Sequence, residues 1–119
     1  MKNFLLTTFL LFIITSIFPQ DRGHLVIIGG GDKTTEIMQK IVDFAGGREA
    51  KIIVIPNASS VPLESATYNV EEFKNLGCTN VNYILFNRED ADKDSLVEKL
   101  NGATGIFFSG GDQAFLTRD

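Results

Sequence analysis

The sequence predicts an α/β fold built on a doubly wound parallel sheet, and three observations predict it. Four short apolar runs, residues 24–28, 51–55, 81–86 and 104–108, are rich in β-branched and aromatic side chains. Such near-continuous runs are what strands buried on both faces require. Between them lie segments whose apolar residues recur at helical spacing, and glycine or proline punctuates nearly every junction. Strand, helix, strand, helix with short connections is the pattern of a parallel sheet clad by helices.

The elements follow in order. Residues 24–28 (HLVII) form the first expected strand and run into Gly29, Gly30 and Gly31. Residues 34–45 carry Ile37, Met38, Ile41, Val42, Phe44 and Ala45 along one helical stripe. Asp32 or Thr34 can cap that helix, and Gly46 with Gly47 can end it. Residues 51–55 (KIIVI) form the second strand, stopped by Pro56, and residues 57–62 are a polar loop. Residues 64–76 place Ala66, Val70 and Phe73 on one face of a helix closed by Gly77. Residues 81–86 form the third strand. Residues 92–100 form a short helix with Leu96, Val97 and Leu100 turned inward and Asp92 and Asp94 in its first turn, where the helix dipole favours acids. Residues 104–108 form the fourth strand, and residues 113–119 read as the first turns of a further helix. With no more chain to cover it, one face of the fourth strand is expected to stay exposed, and the sequence reads as a fragment or a shortened reading frame.

Residues 1–20 have the layout of a secretory signal peptide. Lys2 precedes an apolar stretch over residues 4–18, broken only by threonines and a serine. A spanning helix wants about 20 apolar residues, and this run is shorter, so export to the periplasm or the exterior is expected rather than a stable membrane anchor. Residues 21–119 then read as the amino-terminal part of one α/β domain, left incomplete. Without Lys2 the net charge moves from −4 to −5. That acidic balance gives no electrostatic reason to bind nucleic acid. Cys78 is the one cysteine, so no internal disulfide forms. One histidine, His24, and one cysteine far apart in sequence supply no metal cluster, and no cofactor is expected.

Two glycine-rich loops sit where ligands bind in open α/β sheets, at the carboxyl ends of strands. The first, Gly29-Gly30-Gly31-Asp32-Lys33-Thr34, precedes a helix. It lacks the four-residue spacer of a Walker loop. A close-packed turn and a nucleotide site both remain open for it. The loop Pro56-Asn57-Ala58-Ser59-Ser60 reads as a turn or as a polar ligand contact. The stronger signal is Ser109-Gly110-Gly111-Asp112-Gln113. Gly110 and Gly111 can turn bare backbone N–H groups toward an oxyanion. Gln113 can donate and accept hydrogen bonds to a substrate, and Asp112 beside it can cap a helix. No G-x-S-x-G elbow occurs.

Taken together, residues 23–32 (GHLVIIGGGD), 52–60 (IIVIPNASS) and 105–113 (GIFFSGGDQ) resemble the cyanophycinase family of serine peptidases, which also includes aspartyl dipeptidase. The resemblance covers most of residues 23–119. It implies a flavodoxin-like sandwich related to class I glutamine amidotransferases. It also implies hydrolysis of aspartyl peptides or polymers of the β-Asp-Arg type by a serine nucleophile with a histidine base and an acid. On that pattern Gly110 and Gly111 match the oxyanion turn, and Gln113, with Asp112 beside it, matches the substrate contact. The nucleophile, histidine and acid would fall beyond Asp119, so the chain alone is expected to be inactive. A homodimer of the complete protein is left open. Two other readings stand: a non-catalytic module that binds aspartyl peptides, and a small nucleotide-binding domain using residues 29–34.

Overall fold

The computed structural model describes residues 23–117, so the expected leader over residues 1–20 lies outside the described residues. Helix α1 (Thr35–Phe44) leads to strand β1 (Lys51–Ile55), helix α2 (Pro62–Asn75), strand β2 (Asn80–Tyr83), a short helix α3 (Asp94–Val97), strand β3 (Gly105–Phe108) and a single turn α4 (Ala114–Thr117). The three strands form one parallel sheet in the order β2-β1-β3. The register sets Ile52 against Val81 on one side and against Gly105 on the other.

Each boundary has a local cause. Thr34 caps α1 by accepting a hydrogen bond from the Ile37 N–H at 3.3 Å, which satisfies one of the orphan donors of the first turn. Proline opens α2, where its missing N–H costs nothing and its fixed φ suits the helix. Pro56 follows β1 and cannot continue a ladder.

Side-chain alternation along β1 divides the interior in two. Ile52 and Val54 point to one face, where Met38, Val42 and Ala45 of the α1 region meet Val70 and Phe73 of α2, with Val81 and Phe107 from the outer strands. The rings of Phe73 and Phe107 meet edge-on, with centroids 5.2 Å apart. Gly105 lets α1 approach closely, because a Cβ there would stand 3.0 Å from the Ala45 Cβ. Ile53 and Ile55 point to the other face with Ile84, against Phe86, Leu96 and Ala103. Helical segments therefore lie on both faces, as a doubly wound sheet requires, but the second face is thinly covered. Ile106 and Phe108 of β3 are 44% and 60% exposed, the bare face expected where no further helix covers the fourth apolar run.

Three expectations need correction. Residues 24–28 carry no regular secondary structure and pair with no strand, so the described sheet has three strands rather than four. A strand exists only through its ladder. The free edge of β3 on that side is separated from residues 24–28 by a cleft instead of hydrogen bonds. His24, which opens the first expected strand and would be buried there, is exposed and stacks on Phe44 with centroids 4.1 Å apart. In the α3 region only Leu96 packs inward. Val97 and Leu100 stay exposed, because the helix gives way after Val97 to a 3-10 turn over Glu98–Leu100 that rotates their stripe off the sheet.

Candidate functional site

The carboxyl ends of β1 and β3 carry the candidate site. β1 ends in a tight turn in which the Ser59 N–H donates to the Pro56 carbonyl at 2.9 Å. Beside it β3 is followed by Ser109, whose N–H donates to the Ile55 carbonyl at 3.1 Å. The chain then turns across the β1 loop. The Asp112 N–H donates to the Ala58 carbonyl at 2.8 Å. Gly111 makes that crossing possible. Its φ is +155°, and a Cβ there would stand 1.9 Å from the Ala58 oxygen. Only a residue without a side chain can pass so close.

This turn leaves the N–H groups of Gly110 and Gly111 without an acceptor among the described residues. Both glycines are exposed, as is Gln113. Asp112 is committed in part: its Oδ1 accepts from the Ala114 N–H at 2.8 Å and so caps α4. Gly29 and Gly31 approach from the other side. With Ala58, Gly110, Gly111 and Gln113 they line one cleft of about 980 Å³. Three loops distant in sequence therefore meet at one rim. His24 borders the same cleft but is held against Phe44.

Sequence reasoning missed the part played by Lys33. Its Nζ donates to the Asn69 Oδ1 and to the Glu72 Oε2, both at 2.6 Å. It also lies 5.1 Å from the Tyr68 ring centroid and 5.3 Å from that of Phe107. The first glycine loop is thereby tied to α2. A phosphate-loop lysine reaches its ligand instead, so this geometry speaks for the structural reading of residues 29–34. One signal was present in the sequence: Asn69 is a polar residue on the apolar face between Ala66, Val70 and Phe73. At 4% exposure it is buried, and a buried amide needs partners. Its Nδ2 donates to the Ser65 carbonyl and its Oδ1 accepts from Lys33.

Replacing Lys33 by Met should destabilise the chain by about 1–3 kcal/mol, because Asn69 and Glu72 lose a charge-assisted donor in a part-buried setting. Arginine at the same position should restore part of the loss. Urea denaturation of the three proteins measures it, and equal midpoints would mean that the ion pair contributes nothing.

Cys78 is buried beneath the Gly47 carbonyl, and desolvation raises its thiol pKa above the ordinary 9.0. A thiol held protonated in this way is inert, and it stands outside the residues lining the cleft.

A parallel α/β sheet with a glycine-rich turn at its carboxyl rim, and a cleft that runs along β3 to that turn, is an architecture in which ligands bind at strand ends. The profile of peptidase family S51 matches residues 25–119. Cyanophycinases of Synechococcus elongatus and Thermosynechococcus vestitus are each 35% identical to the chain over 100 residues, which covers 81% of this chain and 31% of theirs. That of Geminocystis herdmanii is 33% identical over 99 residues, covering 77% of this chain and 35% of its own. The chain belongs to peptidase family S51. It spans about a third of the length of these relatives.

Proposed function

We propose that this chain forms the substrate-facing rim of a secreted, cyanophycinase-like serine-type peptidase acting on aspartyl peptides or polymers of the β-Asp-Arg type. The observation that carries the reading is the pair of uncommitted N–H groups on Gly110 and Gly111 beside the exposed Gln113, all on one cleft. Donors fixed in place before reaction favour the negative charge that develops on a carbonyl oxygen under attack, at no cost of reorganisation. Gln113 would hold the substrate through its amide, accepting from a peptide N–H and donating to a carbonyl or carboxylate. The close contact of Gly111 with Ala58 holds the turn rigid, so the donors keep their aim. The chain's own contribution is binding and charge stabilisation. The serine nucleophile, its base and its acid would be contributed by parts of an S51 domain that this chain does not span. The apolar leader over residues 1–20 would carry the protein to an external substrate.

Titration of the chain with a β-aspartyl-arginine dipeptide, followed by chromatography for cleavage, tests the reading. Saturable binding without cleavage is expected. Gln113→Ala should weaken it about tenfold, the worth of one well-placed hydrogen bond. Equal affinity in the variant would remove Gln113 from the site. Absence of binding in the unaltered chain would overturn the substrate class.

A further inference from the structure

We propose that a second pocket, on the β2 side of the Ala58 crossing, is a specificity subsite that takes a guanidinium side chain of the substrate on Asp90. The inference deepens the reading of the Gly110–Gly111 turn as a substrate rim and rests on it.

The crossing divides the carboxyl edge of the sheet in two. Ala58, whose carbonyl accepts from the Asp112 N–H, lines the cleft that holds Gly110, Gly111 and Gln113. Its neighbours Asn57 and Ser59 line the second pocket, which is open and of about 580 Å³. Consecutive Cα atoms stand about 3.8 Å apart. The second pocket therefore begins beside the glycine turn, within reach of a long side chain on a substrate held there.

The two sites differ in charge. Among the described residues, no aspartate or glutamate lines the first cleft, which Lys33 borders instead. Asp90 is the one charged side chain among the described residues lining the second. Its place is fixed from behind: Asn87 caps the 3-10 turn Arg88–Asp90, and the Asn87 Oδ1 accepts from the Asp90 N–H at 2.9 Å. The carboxylate already takes a cation, the ammonium of Lys93. The Lys93 and Asp90 side chains of that pair are 63% and 34% exposed, and ion pairs so open to water contribute little. A guanidinium brings a planar fork that fits a carboxylate through two parallel hydrogen bonds, which a lone ammonium does not. It can take the place of Lys93.

The rest of the wall suits the rest of that side chain. Leu85, Phe86 and Phe115 line the pocket, giving an apolar surface for a methylene stem and flat rings for the guanidinium plane. Asn57 adds an acceptor. Its Nδ2 donates to the Phe86 carbonyl, and its Oδ1 is left buried with no partner among the described residues. An orphaned acceptor favours a ligand rich in donors, and a guanidinium has five and accepts none. Helix α2 begins at the pocket's edge with Pro62, which brings no N–H, and Glu64 in its first turn offsets the positive end of the helix. An apolar wall with a few placed polar groups is the usual make-up of a small-ligand pocket.

Two dipeptides of nearly equal shape test the subsite: β-aspartyl-arginine, and β-aspartyl-citrulline with its neutral ureido head. Calorimetric titration of the chain should show the arginine dipeptide binding about tenfold more tightly, the worth of one charge-assisted contact. Asp90→Asn should erase the preference by lowering the arginine affinity to that of citrulline. Gln113→Ala should weaken both dipeptides equally and keep the preference. In the NMR spectrum of the unaltered chain, the amide shifts of Ser59, Asn87 and Asp90 should differ between the two dipeptides. That measurement needs no variant, so it decides even where a substitution disturbs folding. Equal affinities of the unaltered chain for the two dipeptides, a preference that survives Asp90→Asn, or shift differences confined to the first cleft would each overturn the subsite and leave the rim in place. Absence of binding by either dipeptide would overturn the rim reading, and the subsite with it.

Discussion

Gly111→Ala should lower the stability of the chain by about 2–5 kcal/mol and dismantle the candidate site with it. The added methyl would stand 1.9 Å from the Ala58 oxygen and 2.8 Å from the Ser59 N. Both are backbone atoms in a turn that is itself hydrogen-bonded, so neither can swing aside as a side chain would. Overpacking of this kind typically costs about 1–3 kcal/mol. The φ of +155° adds about 1–2 kcal/mol of strain for any residue with a Cβ. The turn can relieve the clash only by breaking the Asp112 N–H bond to Ala58. The free N–H groups of Gly110 and Gly111 would then lose their aim, and dipeptide affinity should fall along with the urea midpoint. The control is Gly110→Ala, where a Cβ would meet nothing within 4 Å; its stability should stay within about 1 kcal/mol of the original. Equal midpoints for the two variants would show that the close contact does not constrain the turn.

Phe73→Ala should have the larger effect on folding alone, about 3–5 kcal/mol. The ring is fully buried at the centre of the main core and meets the Phe107 ring edge-on. Its removal takes apolar area out of the core, leaves a cavity between α2 and β3, and breaks an aromatic pair. A domain of about 95 residues has a total stability of about 5–14 kcal/mol. The loss is therefore a large share of the whole, and the denaturant midpoint should fall steeply. Near-ultraviolet circular dichroism and denaturant titration read it directly. A native midpoint would mean that α2 holds the sheet by other contacts.

The sequence made the centre of the fold legible and its margins less so. Residues 51–55 were read as a strand with the bounds the structure has, because β1 is buried on both faces and its run is uninterrupted. Ala66, Val70 and Phe73 were read as the inner face of a helix and are all buried. The bounds of β2 and α3 were read too long. Edge elements have fewer neighbours to fix their ends, and apolar character alone says little there. Residues 24–28 carry the composition of a strand, but composition cannot show whether a partner lies beside them. At the site, residues 109–113 were singled out by their glycine pair after an apolar run. The approach of Gly111 to Ala58 was not legible, since the two are brought together only by the crossing of β3 beside β1. Lys33 was hidden for the same reason. Its partners Asn69 and Glu72 lie on another element, and nothing local in the loop points to them.

The central place of β1 also sets an order of assembly. Ile52 meets Val81 of β2 and Gly105 of β3, so the second pairing closes roughly twice the length of chain. The extra entropy is small, about 0.6 kcal/mol for a doubling. The difference in availability is larger, because on a ribosome β1, α2 and β2 have all emerged before β3 is made. They form a right-sized βαβ seed with local contacts. β3 then docks on a surface already in place, and the glycine turn locks onto Ala58 last. The contact of the Gly111 turn with Ala58 thus forms only after β1, α2 and β2 are available, and its presence reports that those elements have already folded.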